Sequence, residues 1–358
     1  MNQYSDLKLQ ALAIGSLPHR NLDDAMAVVK KDFFNIPFFP QLANVNKNED
    51  MIIQFLEGLP SFLPFNTGKF LFDTESENFF EALEEFFTDY EDIILDKNSD
   101  KLDKYRISPD FSCSFSEFEK IIRETKSDYA KGQIVGPFTL ATSLQDKNGQ
   151  AAIYDETLTD IIVKLLSLKV LWQIKRIKLA NPAAVPIIFM DEPTISQLGT
   201  SAYLTISEND IVSMLKDISD LIKDNGGISA VHCCGKCDWT IPIRAGIDII
   251  NFDAFAFSQN LSVYSSEVEK FLQCGGKIAW GIVPTLDCEA LETVTLENII
   301  DKFYKSVNYL TKKGVDEKLV IDNSLITSSC GAGSLPVELA EKAMDLVFEL
   351  SETLKVRF

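Results

Sequence analysis

Eight short apolar runs, most closing on Gly, Pro or an acidic residue, alternate along this chain with stretches of helical periodicity. The runs fall at residues 11–16, 36–40, 133–137, 186–191, 228–232, 247–253, 277–282 and 319–323. Helical patterns separate them, the clearest at residues 158–179 and 211–223. Short continuous apolar runs are the signature of strands buried on both faces, which parallel sheets require. Eight such strands alternating with helices predict a (β/α)8 TIM barrel, whose active site lies at the C-terminal strand ends. A doubly wound open sheet is the alternative. The barrel is preferred because polar signals cluster at the ends of many different strands. One excursion, about residues 66–125, fits no single strand–helix unit and reads as a helical insertion after the second strand, set over the barrel mouth. Its Phe-rich stretch around Phe79, Phe80, Phe86 and Phe87 reads as core. The expectation is one domain over residues 1–358.

With 46% apolar residues the chain can bury a large core. It carries 53 acidic against 34 basic residues, a net charge of −19. That excludes nucleic acid and anionic membrane surfaces as natural partners. The first residues carry no basic segment followed by an apolar stretch, and no window approaches a membrane span. Seven cysteines without a small-scaffold pattern read as reduced thiols. A cytoplasmic protein is expected.

His232 is one of only two histidines and stands in the run Ala230-Val231-His232-Cys233-Cys234-Gly235. On a strand, His232 and Cys234 share one face, about 6.6 Å apart, and Cys233 faces away. An imidazole and a thiolate on one face are half of a tetrahedral zinc site. Cys330, in Ser328-Ser329-Cys330-Gly331, ends another strand and is the third candidate ligand. Cys237 completes a C-x-x-C with Cys234 but reads as a neighbour, and Cys113, Cys274 and Cys288 as structure. His19 follows the first strand, where a solvated loop histidine is the commoner outcome.

These strand ends resemble the catalytic barrel of cobalamin-independent methionine synthase, and the wider superfamily holding corrinoid-linked methyltransferases and uroporphyrinogen decarboxylase. Ile14-Gly15-Ser16-Leu17-Pro18 is similar to that family's I-G-S-F-P, and Gly136-Pro137-Phe138-Thr139 to its G-P-x-T. Asp191-Glu192-Pro193 is similar to its D-E-P, His232-Cys233-Cys234 to its H-x-C and Cys330-Gly331 to its C-G. The resemblance implies zinc held by His232, Cys234 and Cys330. The family's Glu ligand falls where this chain has Asp253, shorter by one methylene. It implies Asp191 at the reacting end, holding a substrate ammonium, with Ser16 and the backbone of Ile14 for a carboxylate. Glu192 reads equally as substrate contact and as helix cap. The activity implied is methyl transfer to a zinc-bound thiol such as homocysteine.

Two departures bear on the substrates. The family's histidine after the seventh strand is missing from Trp280-Gly281-Ile282-Val283-Pro284-Thr285, and 358 residues leave no room for a second, folate-binding barrel. A methylcorrinoid donor needs no protonation of its leaving group, so it is favoured over methylated folate, with a corrinoid protein as a partner. The acceptor-binding Glu after the second strand is also missing, since Asn44-Val45-Asn46 stands there. A small thiol is therefore expected, its identity open. The rivals are a uroporphyrinogen decarboxylase-type lyase and a catalytically silent zinc- or corrinoid-binding module. The first is poorly served, because Pro40-Gln41-Leu42-Ala43-Asn44 offers no arginine to a polycarboxylate.

Overall fold

The computed structural model describes residues 4–63, 70–96, 100–201 and 203–358. Nine strands are found among them. They are β1 (Phe62–Leu63), β2 (Phe70–Phe72), β3 (Tyr129–Val135), β4 (Leu144–Gln145), β5 (Val185–Asp191), β6 (Ile228–Cys233), β7 (Ile249–Phe252), β8 (Lys277–Val283) and β9 (Ser324–Ser328). A six-stranded sheet in the order β3-β5-β6-β7-β8-β9 is parallel throughout, and β1, β2 and β4 form a small separate one. Each strand of the main sheet follows its neighbour through helical chain, for example Glu156–Ala180 before β5 and Glu208–Asp224 before β6.

Both faces of that sheet are buried, which is why its strands read as largely apolar runs with few polar residues. On one face Ile187, Phe189, Ile228, Ala230, Ile249, Ala279 and Leu325 pack with Leu7, Leu12 and Ile36 into a compact cluster. On the other, Ile188, Met190, Val231, Ile250, Ile278 and Ile326 join the larger core formed with the helices. The alternation follows the two-residue period of a strand.

Residues 11–16 and 36–40 are not ladder strands here. They contribute single parallel bridges, Ala11 to Ile326, Ser16 to Gln41 and Phe38 to Lys131, so each outer strand of the sheet meets one of them. Leu12 N donates to Ile326 O at 2.8 Å, and Lys131 N to Pro37 O at 2.8 Å. Pro37 and Pro40 remove donors that a longer ladder would need.

The last strand differs from its expectation. Residues 319–323 fall on the helix Glu317–Asp322 and its C-cap, and the strand is Ser324–Ser328. Asp316 caps this helix by accepting from Leu319 N at 2.8 Å, and Lys318 pairs with Asp322 one turn on. An apolar triplet such as Leu319-Val320-Ile321 suits one buried helical turn as well as a strand.

Of the excursion at about 66–125, residues 66–69 and 97–99 lie outside the described residues. The rest holds the helix Phe79–Leu95, a 3₁₀ turn at Asp100–Tyr105 and the helix Phe115–Thr125, which leads into β3. Phe79 and Phe86 are buried, whereas Phe80 is exposed. Asp89 ties the first two elements together, accepting from Tyr105 Oη at 3.0 Å and Lys104 Nζ at 2.9 Å. The fully buried Lys169 donates to Arg106 O at 2.7 Å and fixes the segment to the helix Glu156–Ala180.

Gly281 stands where the β8–β9 register shifts. A Cβ there would lie 2.3 Å from Phe252 O and 3.0 Å from Ser328 O, both backbone atoms with little freedom to yield. Gly281→Ala is expected to destabilise the protein by about 1–3 kcal/mol, the usual range for overpacking. The urea midpoint reads it, and an unchanged midpoint contradicts this packing.

Candidate metal centre

Three side chains meet at the C-terminal ends of the strands. His232 lies near the end of β6, Cys234 in the turn beyond it, and Cys330 just after β9. The ligand atoms of these three residues all lie within 4.8 Å of one another. The turn is possible because Gly235 backs onto Ser196, whose Cβ a side chain at 235 would meet at 2.5 Å. Cys330 is held by both backbone groups. Its N–H is donated to Thr285 Oγ1 at 3.0 Å, and its carbonyl accepts from Thr285 Oγ1 and Ser328 Oγ, each at 2.8 Å.

His232 is buried, and its two ring nitrogens differ. Nδ1 is hydrogen-bonded to Asn251 Oδ1. Nε2 is buried and has no hydrogen-bond partner among the described residues. An orphaned buried ring nitrogen costs free energy unless something takes its lone pair. With two cysteine sulfurs beside it, the donor set suits zinc, which favours imidazole and thiolate. The residues present therefore fit the metal.

The charges favour the same ion. The Cys330 thiol donating to it, with His232 alongside, pushes Cys234 down to about 4. Cys330 moves the other way, because it faces the Cys234 thiolate and is buried. Two sulfurs this close lose their protons in sequence, and a cation is what lets both ionise. Burial works against a charged His232, but the Cys234 thiolate and Asp191 outweigh it and raise the imidazole.

Asp191, at the end of β5, sits beside His232 in the sheet register. Its Oδ1 is buried and without a hydrogen-bond partner among the described residues. Burial raises its carboxyl, opposed by His232 and Lys131. Glu192 points elsewhere. Its carboxylate accepts from Phe138 N and Thr139 N at 2.9 Å and from Thr139 Oγ1 at 2.7 Å, at the start of the helix Pro137–Ser143. Gly136 makes the room, since a Cβ there would lie 2.1 Å from Glu192 Cδ.

Asp253 lies outside the group of three. It is buried as the N-cap of the helix Ala254–Phe257, accepting from Ala256 N at 2.8 Å, and burial pushes it up to about 6. Ser16 Oγ accepts from Gly333 N at 3.2 Å, which fastens the first segment to the loop after Cys330. The Ile14 carbonyl accepts from the buried Lys131 ammonium. His19 is buried rather than solvated, with Nε2 3.3 Å from Glu341 Oε1 on the helix Val337–Arg357. The Glu49 carboxylate is a tie, accepting from Leu42 N at 2.9 Å and Cys113 N at 2.8 Å.

Sequence reasoning missed Asn251 and Lys131, both fully buried. Their only signal is a polar residue at an inward position of an apolar strand, which spacing alone does not separate from a surface residue. Cavity size does not choose the site either. A cavity of about 810 Å³ opens at the other strand ends, by Ile228, Ile249 and Lys277.

The chain is 27% identical over 229 residues to the methionine synthase of Methanocaldococcus jannaschii, covering 63% of this chain and 65% of that protein. The match thus spans less than two thirds of its relative. No family model matches the chain. Among solved structures, a modular endo-β-1,4-mannanase from Cellulomonas fimi aligns over 70% of this chain and 58% of its own, at 13% identity and a TM-score of 0.37.

Burial raises the Glu192 carboxyl from 4.5 to about 7 against the three hydrogen bonds it accepts. A raised folded pKa means its stabilising contribution is full below about 4.5 and is lost as pH rises through about 7. The stability gap between wild type and Glu192→Gln should therefore narrow over that window. Urea midpoints at its two ends measure this, and a constant gap contradicts it.

Proposed function

We propose that this chain is a zinc-dependent S-methyltransferase that moves a methyl group from a methylcorrinoid, or a methylated folate, to a small thiol such as homocysteine. The observation that carries the reading is the group of His232, Cys234 and Cys330, together with the unsatisfied Nε2 of His232. The 27% identity to a methionine synthase supports it. We read the scaffold as one (β/α)8 barrel over residues 1–358. The bridges at Ala11, Ser16 and Phe38 support closure, because they link β9 to β3 through the first two segments.

His232 Nε2, Cys234 Sγ and Cys330 Sγ would hold the metal. When bound there, zinc supplies a Lewis acid that keeps an acceptor thiol deprotonated yet nucleophilic near neutral pH. Three protein ligands are the complement of a catalytic site, which keeps a position for substrate, and Asp253 is occupied as a helix cap. The unpaired Oδ1 of Asp191 offers an acceptor to a cationic group on the substrate. Ser16 and Ile14 shape the neighbouring rim. Glu192 holds the start of the helix Pro137–Ser143 in place.

A donor whose leaving group needs no proton suits this rim. The loop at 280–285 carries no histidine, and His19 is engaged with Glu341. That favours a methylcorrinoid and a corrinoid protein as its carrier. A cytoplasmic setting suits seven cysteines that all stand as free thiols. No helix among the described residues is long and apolar enough to cross a membrane.

Protein purified without added metal should carry about one zinc per chain, the stoichiometry of a single tetrahedral site. Cys330→Ala and His232→Ala should lose it while keeping the fold. Elemental analysis with circular dichroism reads both, and zinc retained in both variants sinks the metal reading. With zinc loaded, methylcobalamin should be consumed in the presence of a suitable thiol from a panel. Turnover with methyltetrahydrofolate alone would replace the corrinoid with a folate.

A further inference from the structure

Asn251, on β7, is buried in register with His232 on one side and Ala279 on the other. Its Nδ2 donates to Ala279 O at 2.8 Å and to Thr327 Oγ1 at 2.8 Å. A backbone carbonyl can only accept, so the amide nitrogen must be the atom that faces it. The flipped amide would set two acceptor oxygens against each other in a buried place. Oδ1 is thereby fixed toward His232 Nδ1, and an amide oxygen also only accepts. Nδ1 must then carry the ring proton, which leaves the neutral imidazole's lone pair on Nε2, the buried atom without a partner.

We propose that Asn251 is the positioning residue of the site, fixing His232 as the Nδ1–H tautomer so that Nε2 is presented to the metal. This rests on the zinc reading above for its purpose, though not for its geometry. A hydrogen bond accepted from the ring's other nitrogen orients a metal-binding histidine and sets its tautomer. The other histidine supplies an internal contrast. His19 Nε2 faces the Glu341 carboxylate, which accepts, so His19 is the opposite, Nε2–H tautomer. The chain's two histidines should differ within one molecule.

The test is long-range proton–nitrogen correlation on metal-free protein carrying isotopically labelled histidine, at a pH where both rings are neutral. His19→Gln assigns the two spin systems. The expected spectrum shows Nδ1–H for His232 and Nε2–H for His19. Asn251→Leu should lose the single His232 tautomer, and its zinc affinity, read by competition with a chelator, should fall about 10–100-fold. Thr327→Val keeps the Ala279 carbonyl and should keep both the tautomer and the affinity. An Nε2–H ring for His232 in wild type overturns the proposal even if Asn251→Leu fails to fold. So does Asn251→Leu protein that folds and binds zinc as wild type does. Wild type with the Nδ1–H ring but no zinc uptake sinks the zinc reading and bears out the Asn251 lock.

Discussion

The candidate site depends on one row of the sheet. Val135, Asp191, His232, Asn251 and Ala279 are register partners across five neighbouring parallel strands. Three of these are the polar groups at the C-terminal ends. Side chains on a strand alternate faces, so a slip of one residue in any pairing would send Asp191, His232 or Asn251 into the helical layer. The apolar residues beneath them prevent that slip. Ile187 and Phe189, Ile228 and Ala230, Ile249 and Ala279 fill the same face, and Ile188, Met190, Val231 and Ile250 fill the other. The pattern that builds the core also aims the chemistry.

Above that core the interior turns polar and is almost completely satisfied. Asn251 uses its oxygen on His232 and its nitrogen on Ala279 and Thr327. Lys131, pushed down to about 8 by burial, gives hydrogen bonds to Gln133 Oε1 and the Ile14 carbonyl. Gln133 passes one on to Phe39 O. Among the described residues seven buried side-chain atoms have no hydrogen-bond partner, and two of them, His232 Nε2 and Asp191 Oδ1, stand side by side on adjacent strands of this row. Buried polar groups are rarely left unmade in a native fold, so such a pair marks where a ligand belongs. One leftover atom offers a lone pair to a metal and the other a charge to a cation.

Much of this is legible in the sequence, for physical reasons that can be named. The runs that became β5, β6 and β8 read as strands because burial on both faces leaves them mostly apolar. The H-x-C spacing pointed to His232 and Cys234 meeting at one strand end, and they do, although Cys234 stands in the turn beyond β6 and not on the strand. Cys330 was legible through its strand-end context. Other features were illegible for equally definite reasons. Leu319-Val320-Ile321 is too short to carry a period, and the cap at Asp316 decided for helix. The capping parts of Asp253 and Glu192 are not separable from binding in one dimension, because an acid after a strand is also what a following helix uses to satisfy its first N–H groups. Asn251 and Lys131 show only as polar residues within apolar strands, since the partners that give them their roles, such as Ala279, Thr327 and Ile14, lie elsewhere in the chain.

The central claim is that one nitrogen and two sulfurs from three strand ends hold a metal with a position left for a thiol. X-ray absorption at the zinc edge, with and without added thiol, tests it most directly. The account predicts a first shell containing one imidazole nitrogen and two sulfurs from the protein, with one sulfur more when the thiol is present. A sulfur count that the thiol leaves unchanged, or a first shell of oxygen without sulfur, would contradict it.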